Sequence, residues 1–247
     1  MMRLERRSIE SLLEHRSIHV KMRSMTSGAQ RTQRRSQALS KEKIVEAAVG
    51  ILDRDGEDGL TFRALAARLA TGSGAIYWHV ADKNELLAAA ADEVMAGVMV
   101  GGAESADPRE AIRTFALGVF DAIDVHPWVG AQIFREPWRP VTLGMFERIG
   151  RWVQALGAPE HSLFGCASAL ANYILGVAAQ NAANARLHVA GTDRSAFLSM
   201  VAERWTEHDP AQFPFVHRIA AKMRDHDDRE QFLAGIDLLL AGIGTIR

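Results

Sequence analysis

The sequence predicts an all-α protein with about nine or ten helices. Apolar residues recur at helical spacing along most of the chain, and no series of segments alternates apolar and polar residues between hairpin turns. With 247 residues, of which 48% are hydrophobic, the chain can bury a full core. We expect an N-terminal arm at 1–39, a small helical domain at 40–90 and a larger helical domain at 91–247.

The first 39 residues form a basic segment. They carry nine Lys and Arg side chains against three Glu, whereas the whole chain has a formal net charge of -1. No apolar face is sustained from Met22 onward, which indicates a solvated, disordered arm. Because Met22 and Met25 could each begin a shorter chain, the segment is either a genuine basic arm or the product of a start placed too early.

The helical pattern begins at Ser40, whose hydroxyl is suited to cap a helix. Gly56 and Gly59 are expected to end this first helix, and Thr61 is expected to cap a second, short one. The sequence TGSG, at 71–74, predicts a tight turn after it, because glycine permits backbone angles that other residues avoid.

A short helix of about two turns follows this turn. A longer helix then begins at Asp82, which forms a variant capping box with Glu85. From Pro108 onward every segment again predicts helix. The stretch from Pro159 to about Arg186 is rich in small residues with few charges and is expected to be buried on two sides, and a last helix is expected at 228–243.

Two short helices joined by a tight turn and braced by a preceding helix predict a helix-turn-helix, whose second helix enters the DNA major groove. Small residues at 72–75 would allow close approach to base edges and phosphates. Trp78 is expected to pack between the two short helices. The remaining polar side chains divide into phosphate contacts, which are Tyr77, His79 and Lys83, and candidate base readers, which are Arg63 or else Arg68.

The segment KIVEAAVGILDRDGEDGLTFRALAARLATGSGAIYWHVADKNELL resembles the DNA-binding domain of the TetR family of bacterial regulators. The glycine before Leu60, the small-residue turn and the aromatic-aromatic-His-x-x-x-Lys pattern stand in the family's order. YWHV and the later HPW, at 126–128, resemble the subgroup that includes the tetracycline repressor. The resemblance implies phosphate contacts from Thr61, Tyr77, His79 and Lys83, and positions facing bases at Arg63, Ser73, Gly74 and Ala75.

The chain departs from the family pattern at 72–74, where Gly-Ser-Gly places no long side chain at the usual base-facing positions. Specificity is therefore expected to depend on Arg63, on DNA shape and on the basic arm.

The larger domain resembles the family's ligand-binding and dimerisation region in architecture. The resemblance implies a homodimer through a four-helix interface, for which the small-residue helix and the final helix are suited. One short recognition helix also reads few base pairs, which independently favours a two-fold symmetric dimer on a (pseudo)palindromic operator.

Aromatic residues concentrate in the first half of this domain and predict an apolar ligand cavity there, with ordinary core packing as the alternative. A small-molecule inducer would act by favouring a dimer geometry that no longer fits the DNA, with the helix from Asp82 as the lever. The candidate ligand-binding residues are Phe115, His126, Trp128, Phe134, Trp138, Trp152, Asn172 and Tyr173. Phe146 and Gln180 are further candidates for the same cavity.

Other functions receive little support from the sequence. The single cysteine, Cys166, excludes an intramolecular disulfide framework and fits a reducing compartment, and no signal peptide or membrane span is indicated, so we expect a cytoplasmic protein. No phosphate loop, nucleophile motif or metal-ligand spacing is present, so we expect no enzymatic activity, metal or cofactor. The alternative function is a ligand-independent helical dimer whose head binds protein or RNA.

Overall fold

The structure is a computed structural model that describes residues 39–101, 105–136, 138–187 and 194–247. Within these residues the chain forms helices and no strand, so the predicted all-α class is confirmed. The α-helices are α1 (Lys41–Gly59), α2 (Phe62–Arg68), α3 (Ser73–Tyr77), α4 (Lys83–Gly101), α5 (Pro108–Val125), α6 (Val129–Arg135), α7 (Pro140–Ala155), α8 (Leu163–Leu187), α9 (Arg194–Thr206), α10 (Pro214–Ile219) and α11 (Asp228–Ile243). Two 3₁₀ helices are η1 (Glu160–Ser162) and η2 (Ala220–Met223). The predicted arm lies, apart from residue 39, outside the described residues.

Three of these helices, α6, α9 and α10, lie in the region predicted to be helical but were given no bounds of their own, and the described residues contain eleven α-helices against the nine or ten expected. Helices α6 and α10 have 7 and 6 residues, which is too short for a periodic apolar pattern to be recognised. Helix α9 buries only Leu198 and Ala202, so its apolar stripe is weak.

The predicted helix starts are confirmed by side-chain caps. Each capping oxygen accepts a hydrogen bond from the backbone N–H three residues later: Ser40 Oγ from Lys43 at 3.4 Å, Thr61 Oγ1 from Ala64 at 3.1 Å and Asp82 Oδ1 from Glu85 at 2.8 Å. Helix α1 does not end at Gly56 but kinks there, with φ 69° and ψ -172°, and continues to Gly59. A glycine is suited to this kink because other residues rarely adopt that backbone conformation.

The expected role of Gly72 and Gly74 in the turn between α2 and α3 is wrong. The left-handed residue is Ala70, with φ 51°, whereas Gly72 is extended at φ -85° and ψ 146°. The backbone N–H of Thr71 donates to the carbonyl of Ala66 at 3.0 Å, which is the bond of a Schellman motif. In this motif the left-handed residue directly follows the C-cap, which is Leu69 here, so it falls two positions before the first glycine.

The core of the larger domain is built around α8, which packs against α5, α6, α7 and α11. The predicted inward faces of α5 and α11 are buried, and Gly235 on α11 lets Tyr173 of α8 approach closely. Residues Glu160–Ala185 are long and apolar enough to cross a membrane by length and composition alone, with a mean hydropathy of 1.5. The core helix of a helical domain has the same composition, and the packing of α8 is of that kind.

Candidate DNA-binding and ligand-binding sites

Helix α3 presents a small-residue surface that the fold itself does not require. Ile76 and Val80 are buried and anchor this short element. Gly72 and Gly74 are exposed, and a Cβ added to either would meet no atom within 4 Å. Since neither position has a positive φ, their lack of side chains serves neither packing nor backbone strain.

The aromatic residues at the end of α3 lie on the surface. The ring of Tyr77 is 54% exposed and stacks on Phe62 of α2, with centroids 4.2 Å apart and an interplanar angle of 11°. Trp78 is 89% exposed, so the expectation that it packs between the two short helices is wrong. Ile76 and Val80, four residues apart, fill the interior, and a residue midway between them must face outward.

Two of the predicted phosphate contacts also have internal partners. The hydroxyl of Thr61 accepts the capping bond from Ala64, and the Nζ of Lys83 donates to the carbonyl of Glu57 at 2.6 Å. An ammonium group has three donors, so Lys83 can hold the end of α1 and still reach a phosphate. The remaining predicted residues of this surface are half-buried at Ser73, Ala75 and His79 and exposed at Arg63 and Gly74.

The two candidate base readers are in different environments. Arg63 and Arg68 are both exposed residues of α2. The guanidinium of Arg68 lies against α1, since a Cβ added at Gly50 would be 2.8 Å from its Nη2. This difference favours Arg63 as the side chain able to extend toward a partner.

The carboxylate of Asp53, on α1, contacts two residues of the HPW motif, which lies just before α6. Its Oδ1 accepts a hydrogen bond from the indole Nε1 of Trp128 at 2.8 Å and lies 2.7 Å from the Nδ1 of His126. Trp128 is 5% exposed. The HPW motif therefore meets α1 in this structure.

One turn further along α1, Glu57 makes a second connection of the same kind. Arg135 donates to both of its carboxylate oxygens at 3.2 Å, and Gln132 Nε2 donates to Oε2 at 3.2 Å. Gln132 is buried. These bonds link residues more than seventy positions apart, and the sequence contains no local signal that pairs them.

Phe115 and Trp152, two of the predicted ligand-binding residues, are brought together with a residue that the sequence analysis missed. Their ring centroids are 5.5 Å apart, and the Cζ of Arg148 lies 5.9 Å from the Phe115 centroid and 5.8 Å from that of Trp152. The Nη1 of Arg148 is buried and makes no hydrogen bond within the described part of the chain. An arginine on an amphipathic helix is normally read as a solvated residue, which is why the pattern did not indicate it.

The other predicted ligand-binding residues do not surround this pair. Trp138 is 69% exposed and Asn172 is also exposed. Tyr173 donates a hydrogen bond to the Phe232 carbonyl at 3.1 Å, and burial raises the pKa of its hydroxyl. The side chain of Phe134 lies outside the described residues.

Tyr173 and Gln180 border a cavity of about 400 Å³ between α8, α9, η2 and α11. Its apolar wall includes Phe197 and Met223. At its rim Arg194 forms a salt bridge with Asp228, which also lies 3.0 Å from the Nε2 of His226. This cavity is in the second half of the larger domain, whereas the sequence analysis expects a pocket in the first half.

A helix-turn-helix domain whose second helix is exposed, followed in the chain by a larger helical domain, is characteristic of a class of transcriptional regulators. Comparison with two family models identifies the family within this class. Residues 44–90 match the bacterial regulatory proteins of the tetR family, and residues 102–247 match the tetracyclin repressor-like C-terminal domain. The chain belongs to the TetR family of transcriptional regulators. It is a DNA-binding regulator with a ligand-binding C-terminal domain.

Individual relatives agree with this assignment. The chain is similar to the transcriptional regulator SCO7222, a TetR from Streptomyces coelicolor, with 50% identity, a TM-score of 0.77 and coverage of 85% of this chain and 99% of that one. It is 29% identical to an HTH-type transcriptional regulator of Saccharopolyspora erythraea, over 84% of this chain and 85% of the relative. It is also 29% identical to the HTH-type transcriptional repressor DrrR1 of Streptomyces coeruleorubidus, over 75% and 66%.

Proposed function

We propose that this chain is a cytoplasmic repressor that binds a (pseudo)palindromic operator as a homodimer and is released by a small-molecule ligand. The observation that carries the proposal is the open surface of α3, where Gly72 and Gly74 leave space that the fold does not need. The similarity to DrrR1, which is named a repressor, favours repression over activation.

The proposed DNA surface assigns a role to each predicted residue. Tyr77, Thr61, His79 and Lys83 contact phosphates and fix the position of the head on the duplex. Ser73, Gly74 and Ala75 face the base edges, and Arg63 reads guanine through its paired N–H donors. Trp78 is added to this surface because of its exposure.

The proposed dimer uses the face shared by α8 and α11. A groove of about 370 Å³ runs between these helices and is lined by small or apolar residues, including Gly165, Leu238 and Gly242. Leu238 is 75% exposed, and Phe164, at the start of α8, is 76% exposed. A monomer seldom leaves large apolar side chains together on its surface, and a second copy of the same face would cover them.

Replacing Leu238 tests this interface. Leu238→Arg introduces a charge into the proposed contact and should convert the dimer to monomer in analytical ultracentrifugation, with weaker operator binding as a consequence. The matched control is Leu143→Arg, since Leu143 is a 55% exposed leucine outside the groove. A dimer that survives Leu238→Arg would contradict this choice of interface.

Ligand release is proposed to act through α4. This helix runs unbroken through residue 90, the proposed boundary between a DNA-binding domain at 40–90 and a ligand-binding and dimerisation domain at 91–247. It packs against α5, α6 and α7, and its Asp92 forms a salt bridge with Arg139 at the start of α7. A ligand that moves these helices would tilt α4 and change the separation of the two heads.

The DNA-binding proposal is tested on the full chain. Selection of fragments from the host genome should return sites with two-fold symmetric halves about one helical turn or more apart. Tyr77→Ala and Lys83→Ala should abolish binding in a gel shift while the dimer persists, and unchanged affinity in both variants would remove the site assignment.

The nearly complete exposure of Trp78 also fits a head that stacks on RNA bases or packs against a protein.

Salt dependence separates these two functions. Binding to duplex DNA through several phosphates should weaken steeply with salt. Tighter binding to single-stranded RNA than to any selected duplex would favour the alternative.

A further inference from the structure

The guanidinium of Arg148 has one buried nitrogen and forms no salt bridge within the described part of the larger domain. Arg148 lies on α7, is half-buried, and its Nη1 is buried without a hydrogen-bond partner among the described residues. A buried guanidinium N–H without an acceptor is costly, and such groups are normally paired. The pairing is therefore expected to come from something other than this part of the chain.

The helices packed against α7 offer no such partner. Helix α8 contains no acidic residue. On α5, the carboxylates of Glu110, Asp121 and Asp124 contact Arg113, Arg229 and Asn181 respectively. On α4, Glu85 accepts a hydrogen bond from the backbone N–H of Ala81 and Asp92 is paired with Arg139. Glu93 of α4 and Glu147 of α7 itself are exposed. No carboxylate of the described residues neutralises Arg148.

The surroundings of Arg148 are aromatic. The Phe115 ring is buried and the Trp152 ring is half-buried, and the guanidinium lies within 6 Å of both centroids. A guanidinium over aromatic rings keeps its N–H donors in a fixed planar fork, which matches a carboxylate or another acidic oxygen pair. Flat rings beside such a fork recognise an aromatic ligand that bears an acidic group.

We propose that Arg148 is the ligand-recognition residue of the C-terminal domain, and that its ligand is an aromatic compound with an acidic oxygen group. The acidic group accepts hydrogen bonds from the guanidinium, and the ring of the ligand packs against the half-buried ring of Trp152. This inference rests on the ligand-dependent release proposed above, since it states the chemistry of that ligand.

Two fluorescent probes test the proposal without DNA. Anilinonaphthalene sulfonate and phenylnaphthylamine share one ring skeleton, and only the first carries an acidic group. The folded wild-type chain should bind the sulfonate with a stoichiometry of one per chain and at least about tenfold more tightly than the neutral probe. Equal affinity for the two probes would overturn the proposal without any variant.

The variants assign the preference to one residue. Arg148→Met keeps the length of the side chain and should abolish the preference for the sulfonate while binding of the neutral probe persists, and Arg148→Lys should retain part of it. The control is Arg151→Met, because Arg151 is exposed on the same helix and should leave the preference unchanged. A preference for the sulfonate that survives Arg148→Met would overturn the assignment. If that variant does not fold, the assignment is decided by Arg148→Lys and by the ratio of the two probe affinities in the wild type.

The outcome is separable from that of the proposed function. If the probe preference depends on Arg148 but no compound dissociates the operator complex, only the proposed ligand release is contradicted. Release by neutral compounds, without any preference for acidic ones, would contradict the role of Arg148 alone.

Discussion

The indole of Trp128 donates a 2.8 Å hydrogen bond to the carboxylate of Asp53, and this bond joins the domain that carries the DNA surface to the domain that binds ligand. Glu57, one turn later on α1, binds Arg135 and Gln132 in the same way. Two carboxylates of α1 therefore couple it to α6 and the residues just before it. A ligand-driven shift near α6 would reach the head through these bonds as well as through α4.

Removing the Asp53 carboxylate should destabilise the protein. Asp53→Ala leaves the nearly buried indole N–H of Trp128 without its acceptor, which we expect to lower the free energy of unfolding by about 1–3 kcal/mol. Urea denaturation followed by tryptophan fluorescence measures the change. Asp58→Ala, at an exposed position of the same helix, should have little effect, and equal effects of the two substitutions would show that the Trp128 bond is not stabilising.

A glycine at the left-handed residue of the turn between α2 and α3 should increase the stability of the protein. Ala70 has φ 51°, so Ala70→Gly is expected to stabilise the protein by about 1 kcal/mol, because it relieves a conformation that a Cβ disfavours. Ala67→Gly, in the regular part of α2, should instead destabilise by about 0.5–1 kcal/mol. Thermal unfolding of the two variants should give shifts of opposite sign, and a loss of stability in Ala70→Gly would contradict the backbone assignment.

The contact between α8 and α11 should tolerate no side chain at Gly235. A Cβ there would lie 1.8 Å from the Tyr173 hydroxyl oxygen, which is occupied in a bond to the Phe232 carbonyl. Gly235→Ala is expected to cost about 1–3 kcal/mol of stability through overpacking. Gly97→Ala, on α4, meets no atom within 4 Å and should be neutral or slightly stabilising. The comparison is made by chemical denaturation, and equal stability of Gly235→Ala and the wild type would refute the close approach.

The cap of α11 predicts a pH-dependent contribution to stability. The pKa of Asp227 is lowered, chiefly because its carboxylate accepts a hydrogen bond from the backbone N–H of Glu230. A lowered folded-state pKa stabilises the fold above the unfolded value of about 3.9, and the contribution is lost as the pH falls through the folded value. The stability difference between the wild type and Asp227→Ala in urea should therefore be large at about pH 7 and shrink toward about pH 3.

A stability difference between the wild type and Asp227→Ala that grows as the pH falls would contradict the lowered pKa of Asp227. Asp225→Ala is the control, since Asp225 is an exposed residue that precedes the cap.

The sequence predicted those features that depend on local periodicity or capping. The buried face of α5 and the bounds of α11 follow from apolar spacing, and Thr61 and Asp82 cap the helices as expected. Trp78 was misassigned because an aromatic residue next to buried ones has the composition of a core, although its position between Ile76 and Val80 turns it outward.

What the sequence did not indicate depends on tertiary contact. The Asp53 bond to Trp128 and the position of Arg148 between two rings come from helices far apart in the chain, and no periodic pattern encodes them. For the same reason the candidate ligand-binding residues are only partly brought together, with Phe115 beside Trp152 but Trp138 on the surface.

Operator binding by a Gly74→Glu variant tests the central claim most directly. The fold leaves open space at this position, so the variant should keep the stability and the oligomeric state of the wild type. On a selected genomic duplex, fluorescence anisotropy should show at least about tenfold weaker binding, because the added carboxylate meets the DNA. Gly97→Glu, equally unhindered on α4, should bind as the wild type does. Unchanged affinity of the folded Gly74→Glu variant would contradict the claim that α3 is the surface that reads DNA.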